Sequence, residues 1–151
     1  MAISLMNFLT DFYGKFGDAL ISRGALTNLA NFTCGALNSV TALPGGAQAG
    51  SPTLAYNVSE ITTVATTNDS VQLPFAIPGA QVQVNNAGAN TAKIYANAAP
   101  NLNNANALDQ IVANATVAKT ANATAITLAS GYTLSFMCTT IGVWKQQAVA
   151  S

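Results

Sequence analysis

The stretch from Tyr132 to Thr139, YTLSFMCT, places Tyr132, Leu134, Phe136 and Cys138 on one side of an extended chain and Thr133, Ser135, Met137 and Thr139 on the other. A β-strand turns successive side chains to opposite faces, so this alternation specifies a strand with one face in a core. Val82 and Val84 alternate with Gln81 and Gln83 in the same way. Those six apolar-face residues are the expected core. From residue 54 onward short stretches of this kind recur between Gly, Pro and Asn. Seven or eight strands fit among the runs 54–58, 61–66, 70–75, 80–85, 92–97, 111–117, 125–128, 132–139 and 142–149, with a surplus run among these nine. Short strands at this spacing predict a mainly β chain, an antiparallel β-sandwich or jelly-roll-like domain over residues 54–151. Asn97 to Asn106 reads as a tight loop in which Asn accepts left-handed backbone angles.

The first forty residues follow another period. Leu5, Phe8, Leu9, Phe12, Phe16 and Leu20 recur every three or four positions, with Asn7, Asp11, Lys15 and Asp18 on the other side. This spacing predicts an amphipathic helix over 4–22, with Ser4 as N-cap, an Asp11–Lys15 pair one turn apart and Gly24 as stop. Gly14 and Gly17 each cost it about 1 kcal/mol relative to Ala, so the helix needs a partner surface. Leu5, Phe8, Phe12, Phe16 and Leu20 are its candidate docking face. Residues 25–37 fit a second short helix or an irregular arm equally well. The Gly/Pro/Ser-rich segment 42–53, ALPGGAQAGSPT, reads as a linker or extended arm. The expected organisation is a helix and arm over 1–41, a linker over 42–53 and the β domain beyond. The apolar start has no basic leader and is interrupted by Asp11 and Lys15, which does not fit a secretory signal, and no uncharged apolar run is long enough to span a membrane.

Charge narrows the functions open to such a chain. Lys and Arg number five, Asp and Glu five, together 7% of the residues, against roughly 25% in an ordinary soluble domain. A neutral chain with one Arg offers no electrostatic footprint for nucleic acid or an anionic bilayer, so neither is an expected partner. Copies of a neutral chain repel one another weakly, which favours assembly, a homotrimer being the expected form. The chain has no His, so imidazole catalysis and His-ligated metals are excluded. The five carboxylates are scattered with no two within six residues, which leaves no acid–base pair for the sequence to point to, and no enzyme activity or cofactor is expected. Asp69, between Asn68 and Ser70, reads as a turn residue rather than a calcium ligand. Gly45-Gly46 lacks the Lys and helix of a phosphate loop. Five Asn-x-Ser/Thr sequons occur, against the roughly three that composition alone supplies, so they say nothing about glycosylation. Cys34 and Cys138 lack any metal or redox spacing and are expected to stay reduced, Cys138 in the core. Trp144, the only Trp, is expected at a sheet edge or subunit contact.

Residues 73–145 carry a longer pattern: Leu73-Pro74, Gly79, Val82, Val84, Asn86, Gly88, Asn90, Ile94 and Tyr95, then Leu128, Gly131, Phe136, Cys138, Gly142 and Trp144. The pattern resembles that of small β-rich structural proteins of tailed bacteriophages, of capsid decoration, cement or fibre type. The connection NLNNANALDQ is poorer in Gly than the usual loop of that family, and residues 1–53 lie outside the resemblance. The resemblance implies a virion structural protein assembled in the host cytoplasm. The first expectation is a decoration or cement protein binding the major capsid protein. The alternative is a tail-fibre or spike module binding a host-surface glycan, and a hydrolase has the least support.

Overall fold

Residues 36–54, 57–113 and 121–147 are described by a computed structural model. They carry nine strands: β1 (Ala36–Thr41), β2 (Asn57–Thr63), β3 (Ser70–Gln72), β4 (Gln81–Asn86), β5 (Ala92–Tyr95), β6 (Gln110–Val112), β7 (Ile126–Leu128), β8 (Thr133–Thr140) and β9 (Val143–Gln146). A single 3-10 turn spans Leu102–Asn104. The chain divides into two units, 1–34 and 35–151, and every described residue belongs to the second. The expected helix over 4–22, with Leu5, Phe8, Phe12, Phe16 and Leu20, lies outside the described residues, as does Cys34.

The mainly β expectation holds, and the antiparallel one is corrected. A six-stranded sheet runs β1-β2-β4-β8-β9-β6 and a three-stranded sheet runs β3-β5-β7. Both are mixed. The pairs β1–β2, β2–β4, β6–β9 and β3–β5 are parallel, whereas β4–β8, β8–β9 and β5–β7 are antiparallel. Parallel neighbours need a crossover of about a dozen residues or more, which is commonly a helix. Here the other sheet makes the crossover. From β2 to β8 the chain alternates between the six-stranded and the three-stranded sheet at every strand. The parallel partners Ala36 and Val58, Asn57 and Val82, and Ser70 and Lys93 show the repeat of this path, 22 to 25 residues per circuit.

The expected linker over 42–53 is part of this circuit rather than a spacer. Leu43 bridges Ser70, Thr53 bridges Gln72, and Ala42 and Leu54 are buried. The segment is fastened by side chains as well. Ser51 and Ser70 hydroxyls meet at 2.7 Å, both donate to or lie near the Ala47 carbonyl, and Tyr95 Oη donates to the Gly46 carbonyl at 2.8 Å. Its Gly and Pro residues let a polar segment follow the sheet closely: a Cβ on Gly46, at φ +69°, would collide with the Asn68 carbonyl. The β unit therefore begins at β1 and not at residue 54.

One core joins the two sheets. Ile61, Val82, Val84, Ile111, Phe136 and Trp144 of the larger sheet share a buried cluster with Val71, Ile94 and Leu128 of the smaller one. Full burial of side chains of this size contributes roughly 1.5–3 kcal/mol each. Four expected core residues fall in or against this cluster, namely Val82, Val84, Phe136 and Leu134, and Cys138 joins them as a free thiol. Tyr132 does not. It precedes the first residue of β8, in a turn closed by its N–H donating to Ala129, and it is 68% exposed. Trp144 is also corrected. Because β6 pairs beyond β9, its strand is interior, its side chain is fully buried, and its Nε1 donates to the Pro74 carbonyl at 3.0 Å.

Candidate interaction surface

The residues of the larger sheet that point away from the core form the first element of a candidate surface. Gln81, Gln83 and Asn85 alternate with buried Val82, Val84 and Asn86 along β4. Register places Gln81 beside Met137, Gln83 beside Ser135 and Asn85 beside Thr133 on β8, with Val58 and Glu60 across β2 and Lys145 across β9. Glu60 and Lys145 are the only charges in these rows. The amides and hydroxyls bond loosely to each other: Asn85 Nδ2 donates to Glu60 Oε2 and Thr133 Oγ1 donates to Asn85 Oδ1, each at 3.4 Å. A sheet face of this kind can exchange hydrogen bonds with a polar partner without the desolvation cost of buried ions.

The second element is the loop from Asn101 to Asp109, and both of its ends are buried. Asp109 accepts from the Ala76 N–H at 2.7 Å and from Asn101 Nδ2 at 2.8 Å. Asn101 Oδ1 accepts from the Asn103 N–H at 3.0 Å, which caps the 3-10 turn, and the backbone of Asn101 bridges Ala107. Ala105 at φ 49° and Asn106 at φ 62° turn the chain back through left-handed conformations. Asn104 lies over Gly142, where a Cβ would overlap its side-chain amide, and φ 76° at Gly142 favours glycine there. This scaffold presents two leucines to solvent, Leu102 at 81% and Leu108 at 47% exposure, beside the exposed Asn103 and Asn106. The sequence marked the loop by its asparagines. The outward leucines carried no periodic signal, and they were missed.

At the opposite edge of the same sheet Leu37 of β1 and Val58 of β2 are 39% and 40% exposed, on opposite faces, since register sets Leu37 beside Ser59 and Val58 beside Gln83. Strand β1 itself is interrupted. Ser39 adopts φ 75° and the register shifts between Leu37 and Val40. A bulge of this kind, together with the three-residue strands β3, β6 and β7, limits edge pairing by irregularity and shortness rather than by charge.

Two titratable groups among the described residues, Asp69 and Cys138, are tied to the fold by hydrogen bonds and burial. Asp69 is held below the usual carboxylate range by hydrogen bonds from the Thr66 hydroxyl and the Thr66 N–H, with the Gly45 N–H adding to them against the opposing effect of burial. It closes the expected turn. Burial pushes the Cys138 thiol up, and its Sγ lies 3.2 Å from the Thr140 carbonyl. Among the described residues no group of three or more His, Cys, Asp and Glu side chains is placed to hold a metal ion. No helix among them is long and apolar enough to cross a membrane. Compared with known proteins, the chain matches no family model, no curated protein and no solved structure.

Proposed function

We propose that the chain is a virion structural protein, a capsid decoration or cement protein that binds the major capsid protein lattice and stabilises the head. On this reading the β unit is a sandwich, the protein is a homotrimer, and the N-terminal segment carrying Leu5, Phe8, Phe12, Phe16 and Leu20 is its anchor. The observation that carries the proposal is where the phage-like pattern falls. Leu73, Val82, Val84, Ile94, Leu128, Phe136, Cys138 and Trp144 are buried core, and Gly79, Gly131 and Gly142 take positive φ at turns. Asn86 fastens its turn by donating to the Asn90 and Leu128 carbonyls and accepting from the Gly88 N–H. A pattern spread over core and turns is what a shared fold leaves in a sequence. The nearly uncharged outer sheet face suits a protein that works within an assembly.

Quantitative mass spectrometry of purified particles tests the proposal: hundreds of copies per particle are expected, and absence from heads overturns it. Replacing Phe12 and Phe16 by Asp is expected to abolish incorporation, because each change puts a charge on a surface meant to be dry, while the circular-dichroism melt of the β unit is retained. A second reading, a tail-fibre or spike module for a surface glycan, is favoured by Tyr132, an exposed aromatic at a turn. A few to a few dozen copies per particle, in the tail fraction, would select it.

A further inference from the structure

We propose that the outward face of the larger sheet docks on the same face of a second copy of this chain, across a two-fold axis that sets Glu60 of each copy against Lys145 of the other. The pairing goes beyond the decoration reading and is separate from the trimer of that reading. On the smaller sheet the outward Ser70, Gln72 and Tyr95 donate to the carbonyls of Ala47, Ser51 and Gly46, so segment 42–53 lies over them. On the larger sheet Val58, Gln81, Gln83 and Lys145 are exposed. These residues share one side with Glu60 and Met137. Val58 and Glu60 flank buried Ser59, Gln81 and Gln83 flank buried Val82, and Met137, between buried Phe136 and Cys138, is the register partner of Lys145.

The two charges select the occupant. Register puts Glu60 in a row with Asn85 and Thr133, and Lys145 in a row with Met137 and Gln81, four residues away along β4. Strands β4 and β8 lie between β2 and β9, so the charges are about 14 Å apart across the sheet and about 14 Å along it, and they do not meet within one chain. Gln83 and Ser135, themselves register partners, lie midway. A two-fold axis through that midpoint, lying in the interface at right angles to the line between the charges, exchanges its two ends. Each Glu60 then stands over a Lys145 at the separation of about 10 Å between packed sheets, a gap that two long side chains span together. That line runs at about 45° to the strands, so the strands of the two copies cross near 90°, one of the two angles at which sheets pack. The same rotation brings Val58 over the Gln81–Met137 pair and the Gln83–Ser135 pair over its own copy. A glutamine amide both donates and accepts, so an identical face can satisfy it. A partner of one charge would attract one end of this face and repel the other, and a neutral glycan would leave both charges without a counter-ion. An identical face supplies both.

Light scattering coupled to size exclusion and zero-length carbodiimide crosslinking, on the full chain at micromolar concentration, test the contact. In a mixture of isotope-labelled and unlabelled wild type, digestion of the crosslinked product is expected to yield a Glu60–Lys145 amide that joins one chain of each label. Glu60→Lys and Lys145→Glu are each expected to halve the mass of the assembly, with or without trimers, because every pair then sets like charges against each other twice. The double swap of Glu60→Lys with Lys145→Glu is expected to restore the mass. Lys145→Arg keeps the charge without the amine and is expected to keep the mass while losing the crosslink. All these substitutions lie on the outer face, and melts matching the wild type are expected for each variant. A Glu60–Lys145 crosslink that is absent or confined to one chain, a single reversal that keeps the wild-type mass, or a double swap that stays at half mass with a wild-type melt would overturn the contact. The decoration reading is decided separately, by copy number on the particle.

Discussion

Single residues show where close packing leaves no choice. A Cβ on Gly88 would lie 2.7 Å from Val64 Cγ2 and 2.8 Å from the Val64 N, and a backbone atom cannot move aside as a flexible side chain can. Gly88→Ala is therefore expected to destabilise the fold by about 1–3 kcal/mol, read as a lower midpoint in urea with unchanged slope. Asp69 makes a pH prediction. Its folded pKa lies below the unfolded value near 3.8, so its hydrogen bonds stabilise the fold fully above that value and stop doing so as pH falls through the folded one. Thermal melts of wild type and Asp69→Asn are expected to differ at pH 7 and to converge only as the pH falls below 3.8; parallel curves would contradict the assignment. The residues legible from sequence were those whose neighbours enforce a period of two, such as Val82 and Val84. Tyr132 shows the limit of that rule, because alternation reads the same one residue before a strand as within it.

Elements were legible where they are local and obscure where they depend on distant partners. Eight of the nine strands overlap runs visible in the sequence, with β2 drawing on two of them, whereas β1 was missed because its bulge at Asn38–Ser39 breaks the alternation. Parallel pairing was missed for a different reason. Nothing in the strand sequences distinguishes a hairpin return from a return through another sheet, and only the β8–β9 turn, with Thr140 opposite Val143, is a tight hairpin. The candidate anchor was read from helical period, while the outward leucines of the loop, Leu102 and Leu108, emerged only from three-dimensional exposure. The placement of segment 42–53 is testable at this scale. A fragment 36–151 is expected to melt cooperatively, because it keeps β1 and the segment that bridges β3. A fragment 55–151 loses Val40, Ala42 and Leu54 from the core and is expected to lose the cooperative melt. Equal melts for the two fragments would return that segment to the status of a linker.

At the largest scale described, the β unit is ordered by its circuit between two sheets. Three of the four parallel pairs join positions 22 to 25 residues apart and the fourth, β6–β9, joins positions 33 apart, so few contacts form before the chain has closed long loops. Refolding after denaturant dilution is accordingly expected on the millisecond-to-second scale of non-local β proteins, and a microsecond phase that recovers the native signal would be inconsistent with this path. The circuit also sets a unit of growth. A stretch of some two dozen residues, added as one more turn of the path, would lengthen both sheets together by a strand spacing of about 4.8 Å while leaving the existing turns as they are. The reach of such a protein across a surface can thus be tuned in discrete steps, by copying a segment rather than by redesigning a core.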